Sequence, residues 1–402
     1  MNDFFGVLRA PHAVVFGAGQ RRALGQIVAR IGKRALICTD QRFAASAPMN
    51  EILDDLATHG VTTLVFDGTQ AELPAEGISE CVKFSEGFSP EVLIGLGGGS
   101  CMDMAKLVSL LLTHGGPMNR FYGEHKVPAP IIPVVAVPTT AGTGSEVTPV
   151  AVLGDSTRDL KVGISSPYLI PHTAICDSEL TVSCPPGLTA LSGADALTHA
   201  IEAFTAIKHP REPGLSQQRV FVGKNIFSDH FALSAIRSIF KYLPRAVKNG
   251  EDAEARDMLM YGSVCAGLAF GVAGTAAAHA IQYPIGALTH TAHGLGVASL
   301  LPYVMSFNAP ACLDELVEIA EAIGVQHGTR QEMAAEAIDR TRALCASVEI
   351  PRTLAALGLA EDRLDWVAEQ SMLSARLINN NPRTLSVADV KNIVSSAYYG
   401  TH

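Results

Sequence analysis

No stretch of about 18 or more uncharged apolar residues occurs in the chain, so no membrane-crossing helix is expected. The first residues lack a basic segment followed by an apolar one, and a secretory leader is not expected either. Basic residues are in deficit. Lys and Arg number 30 against 39 Asp and Glu, a net charge of −9, which argues against nucleic acid as the main partner. The eight cysteines include no Cys-x-x-Cys spacing, and most lie in apolar runs. They read as reduced, buried thiols of a cytoplasmic protein. Internal repeats and low-complexity tracts are also missing. What remains is 402 residues, 48% hydrophobic and 17% charged, with material for large cores in two or three domains.

In the first half, short apolar runs alternate with helical patterns. Ala13–Phe16, Ala35–Cys38, Thr63–Phe66, Val92–Ile94 and Ile131–Ala136 read as strands; Ala23–Ile31 and Met49–His59 read as helices. Continuous apolar strands separated by helices predict an α/β layer with a mostly parallel sheet, whose ligands bind at the carboxyl ends of the strands. After Cys184-Pro-Pro-Gly187 the strand-like runs stop. Helical patterns follow, among them Phe231–Leu243, Ala253–Leu268, Leu313–Ile323 and Gln331–Ala346. The expected division is an α/β domain over 1–184 and an all-helical domain over 185–402.

Two glycine-rich stretches follow predicted strands. In Phe16-Gly-Ala-Gly19 the third glycine of G-x-G-x-x-G falls on Arg22, so it reads as a turn. Gly97-Gly98-Gly99-Ser100 runs from a strand into a helix. There, backbone N–H groups and the helix N-terminus can hold a pyrophosphate. Asp40, ending another strand, can accept hydrogen bonds from a ribose and repel a 2′-phosphate, or simply cap a helix. The loop from Val137 to Thr148 carries small hydroxylated residues and glycines that can line a nicotinamide-ribose and pyrophosphate groove, although such a loop has many other uses.

The second half carries a different chemistry. Asp195 and His199 stand four apart on a helical pattern, so they share a face with β-carbons about 5–6 Å apart. Their neighbours are small and apolar, and a buried Asp needs a partner. His279 and His293 complete a set of one carboxylate and three imidazoles, suited to a borderline divalent metal such as iron or zinc. Fourteen residues of unbroken helix would hold these two about 21 Å apart, so a break at Pro284 and Gly286 is expected. His290 is the rival to His293. Residues 206–228 are expected to form a long surface loop carrying Lys208, His209, Arg211, Arg219 and Lys224 against the single acid Glu212. It reads either as a clamp for a substrate carboxylate or as a solvated surface loop or subunit contact.

Several of these stretches together carry a resemblance to a known family. They are Phe16-Gly-x-Gly19, Thr39-Asp40, Gly97-Gly-Gly-Ser100-x-x-Asp103-x-x-Lys106 and Pro138-Thr-Thr-Ala-Gly-Thr-Gly-Ser-Glu-Val-Thr148. Asp195-x-x-x-His199, His279, His293-Gly294 and Asn381-Pro-Arg383 continue the pattern. Over nearly its full length the chain resembles the iron-containing (group III) alcohol dehydrogenases. The resemblance implies a Rossmann-like N-terminal domain and a helical C-terminal domain with the active site in the cleft. It implies Asp195, His199, His279 and His293 on a divalent metal, usually iron, with zinc as the alternative. It implies Gly97 to Ser100, Thr139, Thr140, Thr143 and Lys161 on NAD, or NADP. A homodimer is the expected assembly. Tyr283 stands where many members carry a further histidine. This feature and the 206–228 segment resemble the hydroxyacid–oxoacid transhydrogenase branch, which acts on 4-hydroxybutyrate-like acids. The function expected is hydride transfer between a nicotinamide and an alcohol, aldehyde or hydroxyacid, with Tyr283 or His290 relaying the proton. A transhydrogenase is the alternative within enzymes, and a non-catalytic nucleotide-binding protein the alternative outside them.

Overall fold

The structure, a computed structural model, describes residues 4–155 and 160–401. The chain divides into two compact units, one over Arg9–Cys184 and one from Pro185 onward joined by the segment up to Leu8.

Among the described residues the first unit holds nine strands: β1 (Ala13–Phe16), β2 (Arg34–Cys38), β3 (Thr62–Phe66), β4 (Val92–Gly97), β5 (Gly123–Glu124), β6 (Val134–Pro138), β7 (Val150–Asp155), β8 (Leu160–Ser165) and β9 (Thr173–Cys176). Six of them form one sheet in the order β1-β9-β6-β4-β2-β3, parallel throughout. The pleat of β2 explains its unbroken apolar run. Ala35 and Ile37 face a core with Leu24, Val28, Ile52 and Leu56. Leu36 and Cys38 face the opposite core with Ile78, Cys81, Met104 and Leu107. A strand covered on both faces needs an apolar residue at every position. β6 starts at Val134 instead of Ile131, because Pro133 has no N–H to give to the ladder. β7 and β8 form an antiparallel pair beside β5 in a smaller sheet.

The turn Phe16-Gly-Ala-Gly19 is held from β9. Asp177, fully buried after that strand, accepts N–H bonds from Gly19 (2.9 Å) and Arg21 (3.0 Å) and pairs with the Arg21 guanidinium at 3.0 Å.

The second unit is helical. Its long members are Pro186–Thr205, Ile226–Lys248, Ala253–Ala273, Ala277–Thr289, His293–Asn308 and Arg330–Ser347. Residues 4–8 join it through the Ile226 N–H on the Phe5 carbonyl at 3.1 Å and the Val7 N–H on Asn225 Oδ1 at 3.3 Å. No single helix among the described residues is long and apolar enough to cross a membrane. All eight cysteines are buried free thiols.

Two expectations are corrected here. The helix after His279 does not break at Pro284 and Gly286; it runs through Pro284 to Thr289. Proline there forfeits one bond to the Ala280 carbonyl without ending the helix. The break comes at His290, which caps the helix in the left-handed region at φ 54°. The 206–228 segment is not a surface loop throughout. Val220, Phe221, Val222, Lys224 and Asn225 are buried, and Asn225 caps the helix that starts at Ile226. Lys224 lies over the Phe204 ring and pairs with Asp229 at 2.8 Å. That internal partner, invisible in a one-dimensional charge pattern, removes Lys224 from any solvent-facing cluster.

A buried polar network lies beneath the glycine loop of the first unit. Lys106 donates to Ser145 Oγ (2.8 Å) and to the carbonyls of Thr148 (3.1 Å) and Val150 (2.8 Å). Asp103 accepts from Ser145 Oγ (2.5 Å) and from the Val152 N–H (2.9 Å). One turn of the Gly99–His114 helix thus ties down the segment from Ser145 to β7. Burial pushes Lys106 down to about 8 from 10.5, and pushes Glu146 up to about 7 from 4.5. Between pH 4.5 and about 7 the folded chain keeps a proton on Glu146 that the unfolded chain has released. Stability therefore falls through that window as pH rises. Glu146→Gln, neutral at every pH, is expected to gain on the parent steadily between about pH 5 and about pH 7, read from urea midpoints. Parallel curves for the two proteins would contradict the burial argument.

Candidate functional site

In the second unit the Pro186–Thr205 helix sets Asp195 and His199 one turn apart, both buried, with His199 Nε2 3.7 Å from Asp195 Oδ1. His279, on the first turn of Ala277–Thr289, brings its Nε2 to 3.8 Å from the same oxygen. His293, the first residue of the next helix, brings its Nε2 to 4.0 Å. One carboxylate oxygen therefore faces three imidazole nitrogens. A tetrahedral ion with ligand bonds of about 2.0–2.2 Å spaces its ligands about 3.3–3.6 Å apart. Asp195, His199 and His279 each hold a ligand atom within 4.8 Å of the others, and His293 joins them through its 4.0 Å approach to Asp195 Oδ1. His279 Nε2 is buried and has no hydrogen-bond partner among the described residues. Left so, it would cost about 1–3 kcal/mol. Three imidazoles and a carboxylate fit a borderline divalent metal.

The surroundings fix the rings. Phe270 stacks on His199 with centroids 4.2 Å apart, and His279 lies 4.8 Å away on a ring plane tilted by 22°. A β-carbon at Gly294 would lie 2.5 Å from the Leu191 carbonyl and 3.1 Å from Asp195 Cβ. Glycine after His293 is what lets that helix begin against the one carrying Asp195. His293 keeps 25% of its side chain exposed, against 4–7% for the other imidazoles, so the accessible side of the cluster is there.

In the first unit, two loops meet at the carboxyl ends of neighbouring strands. β4 pairs with β6 so that Gly97 stands opposite Pro138, and the Thr139 N–H donates to the Gly97 carbonyl at 2.9 Å. Gly97 has φ 151°, and a β-carbon on it would strike Cys101 Sγ at 2.5 Å. One on Gly99 would strike Thr143 at 2.6 Å. Above Gly98 the nearest atom to such a carbon is Thr140 Oγ1 at 3.7 Å, which leaves a backbone cradle. The Gly99–His114 helix starts there without a side-chain cap, a ready site for a phosphate. Thr139 Oγ1 is buried without a partner among the described residues. The chemistry and the open cradle fit a dinucleotide pyrophosphate. Ser100, Thr140 and Thr143 are half-buried around it.

Models of two families match the chain: "Iron-containing alcohol dehydrogenase" over residues 11–178 and "Fe-containing alcohol dehydrogenase family, C-terminal" over 189–398. The chain belongs to the iron-containing alcohol dehydrogenase family. Among curated relatives, long-chain-alcohol dehydrogenase 1 of Geobacillus thermodenitrificans is 35% identical, with 94% of each chain covered. An NAD-dependent methanol dehydrogenase of Bacillus methanolicus is 34% identical over 99% of this chain and 100% of its own. Among solved structures, a 1,3-propanediol oxidoreductase superposes with a TM-score of 0.91 at 29% identity, covering 98% of this chain and 100% of that one.

The other sequence-marked residues of this family member sit as follows. Asp40 accepts the Phe43 N–H at 2.9 Å, so it caps a helix, while Cys101 Sγ lies 3.9 Å from its other oxygen beside the glycine loop. Lys161 on β8 pairs with Glu72. The ring of Tyr283 stacks over His293 with centroids 6.1 Å apart. Burial pushes its hydroxyl above the usual range; Arg376 opposes this, and Glu202 and Asp195 add to it. His290 is exposed at its helix end.

Sequence reasoning missed Glu202. It is buried on the Asp195 helix, and its Oε2 lies 2.6 Å from His279 Nδ1. The signal was available: an acid in an apolar helix, three residues after His199 and seven after Asp195. If this cluster is the metal centre, His279→Ala should lose most bound metal, measured on anaerobically purified protein, while the fold survives. His290→Ala should keep it. The opposite pattern would remove His279 from the ligand set.

Proposed function

We propose that the chain interconverts a small alcohol and its aldehyde or ketone, using NAD(H) and a divalent metal, iron before zinc. The observation that carries this reading is the single oxygen of Asp195 facing Nε2 of His199, His279 and His293 at 3.7–4.0 Å. When bound, the metal supplies Lewis-acid polarisation of the substrate oxygen and the nicotinamide supplies or accepts the hydride. The chain's own residues do the rest. Asp195, His199, His279 and His293 hold the metal. Gly97 to Ser100, Thr139, Thr140 and Thr143 cradle the dinucleotide, and Lys161 stands near it. Tyr283, whose ring stacks over His293, or His290, at the exposed helix end, relays the proton to solvent.

A second reading, the transhydrogenase, draws on Tyr283 and on the basic residues Lys208, Arg211 and Arg219, all exposed, in the 206–228 segment. One experiment separates the readings. Metal-replete protein is assayed with free NAD(H) against matched n-alkanols, ω-hydroxyacids and their aldehydes. Turnover with free NAD supports the dehydrogenase. Turnover of a hydroxyacid only when a 2-oxoacid is the acceptor overturns it in favour of the transhydrogenase. No turnover under either condition overturns both.

Cofactor choice is a separate expectation. Asp40 at the end of β2 should favour NAD(H), because a carboxylate repels a 2′-phosphate. Asp40→Gly should raise the ratio of kcat/KM for NADP over NAD by about tenfold or more, equivalent to roughly 1.4 kcal/mol. An unchanged ratio would restrict Asp40 to capping its helix.

A further inference from the structure

Glu202 is 2% exposed, and its carboxylate gathers donors that lie far away in sequence. Oε1 accepts the Ala278 N–H at 2.7 Å, Oε2 accepts the Ala276 N–H at 2.9 Å, and Oε2 also lies 2.6 Å from His279 Nδ1. These donors sit at a break. Ala253–Ala273 and Ala277–Thr289 meet at 101°, and Ala276 at the start of the second helix has no side chain able to cap it. Helix starts leave N–H groups without intrahelical partners. Glu202 supplies from another helix the cap that Ala276 cannot.

We infer that Glu202 is a positioning residue for the metal site: its carboxylate holds His279 as the Nδ1–H tautomer at the capped helix break, leaving Nε2 as a lone pair aimed at Asp195. This rests on the reading of Asp195, His199, His279 and His293 as a metal centre. The chemistry of the contacts requires the tautomer. Backbone amides only donate, so both oxygens of Glu202 are already acceptors, and the imidazole nitrogen 2.6 Å from Oε2 completes the set by donating. Nε2 is then the atom without a proton. It lies 3.8 Å from Asp195 Oδ1 and makes no hydrogen bond among the described residues. A lone pair facing a carboxylate oxygen is repulsive until a cation lies between them. Carboxylates placed behind metal-binding imidazoles act in this way, fixing ring orientation and raising ligand basicity. The same helix thus carries two ligands and, one turn further on, the group that orients a third.

Glu202→Gln is the informative change, because it keeps the size and removes one acceptor. An amide cannot accept at both oxygen positions. Its NH2 either takes the Oε1 place and opposes the Ala278 N–H, or takes the Oε2 place, where it opposes the Ala276 N–H, donates to His279 Nδ1 and drives the proton to Nε2. The full chain, stripped of metal by chelator and labelled with 15N-histidine, reports the tautomer by NMR. The parent should show Nδ1–H at His279, and the variant a substantial Nε2–H population. Affinity for zinc or ferrous ion, by chelator competition, should fall about 10- to 100-fold, with helical circular dichroism unchanged. Parent-like affinity, within about twofold, together with a retained Nδ1–H tautomer would overturn the inference. If the variant does not fold, the metal-free parent decides: Nε2–H at His279 there overturns it. Failure of the metal reading looks different. Parent and His279→Ala would then compete for metal equally poorly, whatever the tautomer.

Discussion

Asp195 is a carboxylate taken almost completely out of water, and such a group is tolerated only when something of opposite charge or a set of donors compensates it. Within the helical unit three helix segments turn imidazole nitrogens toward its Oδ1 at 3.7–4.0 Å, where a cation would compensate it. The Pro186–Thr205 helix brings His199, the start of Ala277–Thr289 brings His279, and the start of His293–Asn308 brings His293. Glu202 and Gly294 are consequences of that constraint. One steers a ring and caps a break; the other removes a side chain so that a helix can start against its neighbour.

The glycine-rich loops in the α/β unit follow a similar logic with backbone in place of side chains. Gly97 and Gly99 are required by contact with Cys101 and Thr143. The loop from Thr139 to Ser145 is then fixed from below by Lys106 and Asp103 through Ser145. The Asp103-x-x-Lys106 spacing puts both groups on one turn facing that loop. The family's chemistry, hydride exchange assisted by a divalent metal, needs both a rigid phosphate cradle and a rigid ligand set.

The periodic features were legible in the sequence. Apolar runs gave the parallel sheet, and helical patterns after Pro185 gave the second unit. Asp195 and His199 were legible as a pair because i and i+4 share a face. His279 and His293 were not linked by any local rule; donor chemistry and an expected helix break between them suggested the set, with His290 as the rival, and the resemblance then pointed to the same residues. The route between them was misplaced, because proline at 284 looks like a terminator in one dimension while the actual stop is a left-handed His290. Lys224 was assigned to the surface because its partners Asp229 and Phe204 come together only in the fold. Glu202 was overlooked because its three donors lie more than seventy residues away.

The central claim is that one metal ion lies between Asp195, His199, His279 and His293. Anomalous diffraction from anaerobically grown crystals, collected above and below the iron and zinc edges, tests it most directly. The account predicts a single strong peak within about 2.0–2.2 Å of Asp195 oxygen and the three Nε2 atoms. A metal peak held by other residues, or a peak that includes His290 and omits His293, would contradict it.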